Sequence, residues 1–109
     1  MADSSYHTPF MCSVTVTGTR ASLLTLLQAV FTNIPLKASQ VTIQNDTGSG
    51  SSSLYIGNSA VTSTNAGSNL SANQALPLGP LPSNLIVLND LWLLSSSGSI
   101  QANVQVIVR

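Results

Sequence analysis

The chain is predicted to be all-β, a small antiparallel β-sandwich or barrel with one short helix near residues 20–31. Three observations carry that prediction. Apolar and polar residues alternate over short stretches, most cleanly in "MCSVTVTG" and "IQANVQVIVR". A period of two belongs to a strand with one buried face. Clusters of Gly, Asn, Ser and Pro such as "NDTGSGSS" separate these stretches and supply turns. Only "TRASLLTLLQAVF" spaces its apolar residues for a helix.

Taken in order, residues 1–10, "MADSSYHTPF", read as an N-terminal arm, and residues 11–109 as a single β-sandwich domain. The arm is polar apart from its Tyr6 and Phe10 rings. Tyr6, His7 and Phe10 either dock on a neighbouring subunit or fold back on their own domain. In "MCSVTVTG" the face bearing Cys12, Val14 and Val16 is buried, and Gly18 ends the strand. Leu23, Leu24, Leu26, Leu27, Val30 and Phe31 then follow helical spacing. Thr19 or Ser22 caps that helix, and Asn33-Ile34-Pro35 ends it.

"ASQVTIQND" is the next strand, with Val41 and Ile43 on one face and Thr42 and Gln44 on the other. "SSLYIG" is expected as its hairpin partner across the Gly/Ser turn. Gly57-Asn58 resembles a tight-turn dipeptide. Residues 58–73 are a long polar loop with room for one short strand around Val61. "QALPLGPLP" is extended and suited to a sheet edge, because Pro77, Pro80 and Pro82 forbid a helix. "LIVLNDLWLLS" is one buried strand, or two short ones broken at Asn89-Asp90. The final strand buries Ile100, Ala102, Val104, Val106 and Val108 and turns Gln101, Asn103 and Gln105 outward.

Composition narrows the function. Only 6% of residues are charged and the formal net charge is zero, where about 25% charged is usual. Arg20, Lys37 and Arg109 are scattered, so no basic cluster exists to neutralise phosphates, and nucleic acid is not an expected partner. No run approaches the ~18 apolar residues of a membrane span. The first ten residues lack the basic and apolar regions of a secretory leader. A surface with little charge repels its copies weakly, which favours an oligomer or a lattice.

Chemistry-bearing residues are sparse. One histidine, His7, lies in the arm; one cysteine, Cys12, is read as a small buried hydrophobe in preference to a nucleophile. There is no Glu, and Asp3, Asp46 and Asp90 are far apart, so neither a carboxylate pair nor a metal ligand set is expected. No phosphate-binding glycine motif is present. The chain is therefore read as no enzyme, with no catalytic residue, cofactor or metal. Asp90 is read as a turn former or edge gatekeeper. Trp92, the single indole, is either core, the favoured reading, or an anchor facing a partner.

The order of "VTIQN", "LYIGNSAVT", "ALPLG" and "LNDLWLLS", closed by a Val-rich strand, resembles small virion structural proteins of tailed bacteriophages over roughly residues 36–109. The resemblance implies a jelly-roll-like sandwich that decorates a capsid as a cement protein. It would sit on the outer capsid surface, often as a trimer, and bridge subunits of the major capsid protein after synthesis in the host cytoplasm. Tyr6, His7, Phe10 and Trp92 are then the candidate capsid or subunit contacts. The alternative it leaves open is a tail or head-fibre accessory module that attaches to a host glycan, through the loop 58–73.

Overall fold

The computed structural model describes residues 8–46 and 52–109. Its strands, in chain order, are β1 (Thr8–Val16), β2 (Ala21–Ser22), β3 (Lys37–Ala38), β4 (Gln40–Asn45), β5 (Leu54–Gly57), β6 (Ser68–Leu70), β7 (Ala75–Leu78), β8 (Ile86–Val87), β9 (Trp92–Ser95) and β10 (Ile100–Val108). The helix α1 spans Leu23–Gln28, and a 3-10 turn covers Leu88–Asp90.

The strands pair as nested antiparallel couples: β1 with β10, β2 with β9, β3 with β8, β4 with β7 and β5 with β6. The chain is thus one long hairpin, doubled back between β5 and β6. Rolling it up brings β10 against β4 and β9 against β5. Two four-stranded sheets result, in the orders β1-β10-β4-β7 and β2-β9-β5-β6, with β3 and β8 as a separate two-stranded piece. That order is a jelly roll, the two-sheet solution expected of this fold class.

The alternation seen in the sequence sets which face is buried. Val14, Val16, Val41, Ile43, Val104 and Val106 line the inner face of the first sheet. Leu54, Ile56, Leu70 and Leu93 meet them from the second. β-branched residues fill the longer sheet, where their restricted side chains suit the pleat. Leu23, Leu24 and Leu27 of α1, with Leu88, complete the same core.

Ser22 caps α1: its Oγ accepts from the Thr25 N–H at 3.1 Å and donates to Thr25 Oγ1 at 2.8 Å. The helix ends at Gln28, well before Asn33. The Leu27 carbonyl takes the N–H of both Val30 and Phe31, at 3.0 and 2.8 Å, which closes the last turn. Phe31 is thereby freed to meet Phe10.

Two expectations change and one open alternative is decided. β4 and β5 are not a hairpin: they lie in different sheets, and β4 pairs with β10 and β7. At the crossing, Asn45 is fully buried on the inner face where a turn residue was expected. "LIVLNDLWLLS" forms two short strands broken by the 3-10 turn, the second of its two readings. Finally, β1 begins at Thr8, so Pro9 and Phe10 belong to its ladder with β10.

Candidate functional site

None of the eight sandwich strands contains a charged residue. The charged side chains are confined to the N-terminal segment, the connections, the small β3–β8 piece and the last residue. The strands' own outward side chains are therefore neutral, and charge reaches the outer faces only from the connections: Asp46 Oδ1 accepts from Asn103 Nδ2 at 3.4 Å on the first sheet, and Arg20 and Asp90 border the second.

On the first sheet the outer face is knitted by side chains. Ser13 Oγ donates to Asn103 Oδ1 at 2.7 Å, and Asn103 Nδ2 donates to Gln44 Oε1 at 3.3 Å. Gln44 Nε2 donates in turn to Asn73 Oδ1 at 3.1 Å. The row crosses three strands and reaches the connection before β7. Asn73 holds a left-handed φ of 70°, a conformation that Asn tolerates better than most residues. Met11, on the same face, is 61% exposed.

The edges of this sheet follow from backbone parity. Asp46 and Ser39 donate their N–H groups to Gln101 and Ile107 of β10. Odd residues of β10 thus face β4, and even ones face β1. Carried across the register, Phe10, Cys12 and Val14 bond to β10, while Pro9, Met11, Ser13 and Thr15 aim their backbone groups outward. On β7 the same alternation points Pro77 outward. Both prolines therefore sit where a missing N–H costs no ladder bond.

The second sheet has a different outer surface. Leu93 faces the core, so its neighbour Trp92 faces out, half-buried. The core reading of Trp92 is overturned by this alternation. Its Nε1–H donates to the Asn89 carbonyl at 3.1 Å, which fixes the ring. Across the ladder stands Gly57. A Cβ on Gly57 would lie 3.1 Å from Val61 Cγ2, so Val61 occupies the outer side of β5 at that point. Val61 is fully buried there yet lies outside the main core cluster.

Val61 pins the loop after β5 to the sheet. Asn58 Oδ1 accepts from the Ala60 N–H at 2.9 Å, and the Asn58 carbonyl from the Val61 N–H at 3.0 Å. Asn65 Nδ2 donates to the Ala60 carbonyl at 3.1 Å, and the Thr62–Asn65 bridge holds the tip. Beside this loop Asn58, Ser59, Asn89, Asp90 and Trp92 line an open cleft of about 440 Å³. Asp90 and Asn58 also border a second, more apolar opening beside Leu76, Leu78 and Leu91.

Of the expected contact residues, Phe10 packs edge-to-face on Phe31, with ring centroids 5.3 Å apart and planes at 77°. Its ring is thus engaged within its own chain. Tyr6 and His7 lie outside the described residues. Cys12 points inward, and burial pushes its thiol above the ordinary value. Among the described residues no three His, Cys, Asp or Glu side chains gather as a metal site.

No family model matches the chain, and no curated protein does. A solved structure described as "Bacillus endospore appendages form a novel family of disulfide-linked pili" is similar. Its chain is 11% identical, with 95% of this chain and 88% of that one covered and a TM-score of 0.40.

Proposed function

We propose that the protein is a structural subunit of a phage particle, a decoration protein that binds the outer face of the capsid as a homotrimer. The observation that carries this reading is the absence of charge from all eight sandwich strands. A charged face repeated around a symmetry axis repels itself, whereas a neutral face of amides and hydroxyls packs against a copy without that cost. The sequence resemblance to small virion proteins adds the particle.

The mechanism is additive. Each copy bridges neighbouring capsid subunits through apolar and hydrogen-bonded contacts, and the linkage of many weak contacts on one shell resists expansion from within. The contact candidates that remain are the segment before β1, with Tyr6 and His7, and the outward-facing Trp92, since Phe10 is committed to Phe31.

Light scattering behind a sizing column tests the oligomer: a trimer mass is expected, and a monomer at all concentrations would count against it. Co-sedimentation with expanded shells tests the partner. A variant lacking residues 1–7 keeps β1 whole, so its loss of shell binding would assign the contact to Tyr6 and His7. Binding at full strength would remove that assignment.

A further inference from the structure

We propose that the cleft at Trp92 is a saccharide-binding site. A pyranose presents an apolar C–H face and a fringe of hydroxyls that both donate and accept. The cleft offers the complement of each. Trp92 supplies a partly exposed edge of an aromatic ring, held in orientation by its Nε1–H bond to the Asn89 carbonyl at 3.1 Å. Around it stand the Asp90 carboxylate, the Asn58 and Asn89 amides and the Ser59 hydroxyl. These groups accept only, donate and accept, and donate and accept, in that order.

Within the described residues the Asp90 carboxylate, the Asn89 side chain and Asn58 Nδ2 make no hydrogen bond. They are exposed and aimed at no protein partner. Asn58 Oδ1, by contrast, is spent on the Ala60 N–H, which sets the amide in place. The frame of the site, with the Trp92 ring and the Asn58 amide, is thus in place before a ligand arrives. The 3-10 turn carries Asn89 and Asp90, the adjacent strand carries Trp92, and the Val61-pinned loop carries Asn58 and Ser59. Preorganisation of this kind lowers the cost of binding.

A cationic group is the competing ligand, because a carboxylate beside an indole attracts one. The lining favours a sugar: one charge stands among three neutral groups that can each donate. The cleft of about 440 Å³ has the size of a small-ligand site. One open cleft of this kind would hold a single sugar with a Kd of about 1 mM, and repetition over a particle would raise the avidity.

Trp92 is the only tryptophan, so indole fluorescence reports on this cleft alone. The full chain would be titrated with neutral hexoses, deoxyhexoses and N-acetylhexosamines, free and as disaccharides, and with lysine amide at matched ionic strength. The expected result is a saturable change with at least one sugar, weakened about tenfold or more in Asp90→Asn and in Asn58→Ala. Gln105→Ala, on the opposite sheet, should bind as the parent does, and amide NMR spectra would show each variant folded. Three results overturn the proposal: no saturable response to any sugar up to roughly 100 mM, a response to lysine amide alone, or sugar binding unchanged in both cleft variants.

Discussion

Asn45 shows how much one side chain decides. It sits at the end of β4, fully buried, and its Nδ2 donates to the carbonyls of Leu70 at 2.9 Å and Ser52 at 3.1 Å. Leu70 belongs to the second sheet, so this amide ties one sheet to the other. Buried carbonyls deprived of their donor cost about 1–3 kcal/mol. Asn45→Ala is expected to lower stability by about 2–4 kcal/mol, read from the urea midpoint. Gln105→Ala, on the exposed face of β10, should stay within about 0.5 kcal/mol. Equal effects would mean that the cross-sheet amide contributes nothing particular. Cys12 supplies a second residue-scale expectation. Its thiol points inward and burial holds its pKa up, so the reactive thiolate is scarce at neutral pH. Iodoacetamide should modify Cys12 more slowly than it does N-acetylcysteine, and the difference should vanish in denaturing urea.

Strand parity makes a sharper claim at the scale of the element. Met11 and Cys12 are neighbours on β1, but their backbone N–H groups face opposite ways. Cys12 donates into the β10 ladder, while Met11 faces the open edge. Met11→Pro should therefore cost about 1 kcal/mol or less, on the same open edge that already takes Pro9 two residues earlier, whereas Cys12→Pro should cost about 3 kcal/mol or more. Thermal melts of the two variants settle the order, and a reversal would mean that the edge assignment is wrong. The same alternation explains what could be read in advance. β10 shows its buried set as Ile100, Ala102, Val104, Val106 and Val108, because a strand buried on one face writes a period of two. Ser22 was legible as one of two candidate caps, with Thr19, for a local reason, the hydroxyl three residues before an N–H in need of an acceptor. Pairing was not legible: "VTIQN" and "SLYIG" look like a hairpin, and nothing local says that the chain changes sheets between them. The cleft was half legible. Asp90 and Trp92 stood out by type, but Asn58 joins them only because β5 and β9 are neighbours in the second sheet. Val61 stood out as an apolar residue in the polar loop, but where it packs was not legible, since the gap it fills is created by Gly57 four residues away.

Nesting governs the whole molecule. The first described strand pairs with the last, and only β5 with β6 is close to a local hairpin. Such non-local topology places folding in the slow range of two-state domains, about milliseconds to seconds. It also keeps charge off the strands themselves, so that Arg20, Asp46 and Asp90 reach the outer faces only from the connections at the strand ends. That segregation predicts how copies of the chain meet. Coulomb attraction between exposed groups is screened over about 10 Å at 0.1 M salt and about 3 Å at 1 M. An interface made by Arg20, Lys37 and the aspartates would loosen about tenfold or more as salt rises from roughly 0.05 to 0.5 M. An interface made by the strands' neutral outward side chains has little charge to screen, and its apolar part strengthens in sulfate. Sedimentation equilibrium across that salt range should therefore give an association constant that moves by less than about twofold, with tighter association in ammonium sulfate. A steep loss with sodium chloride would place the contact on the charged connections and take the neutral sheet faces out of the assembly.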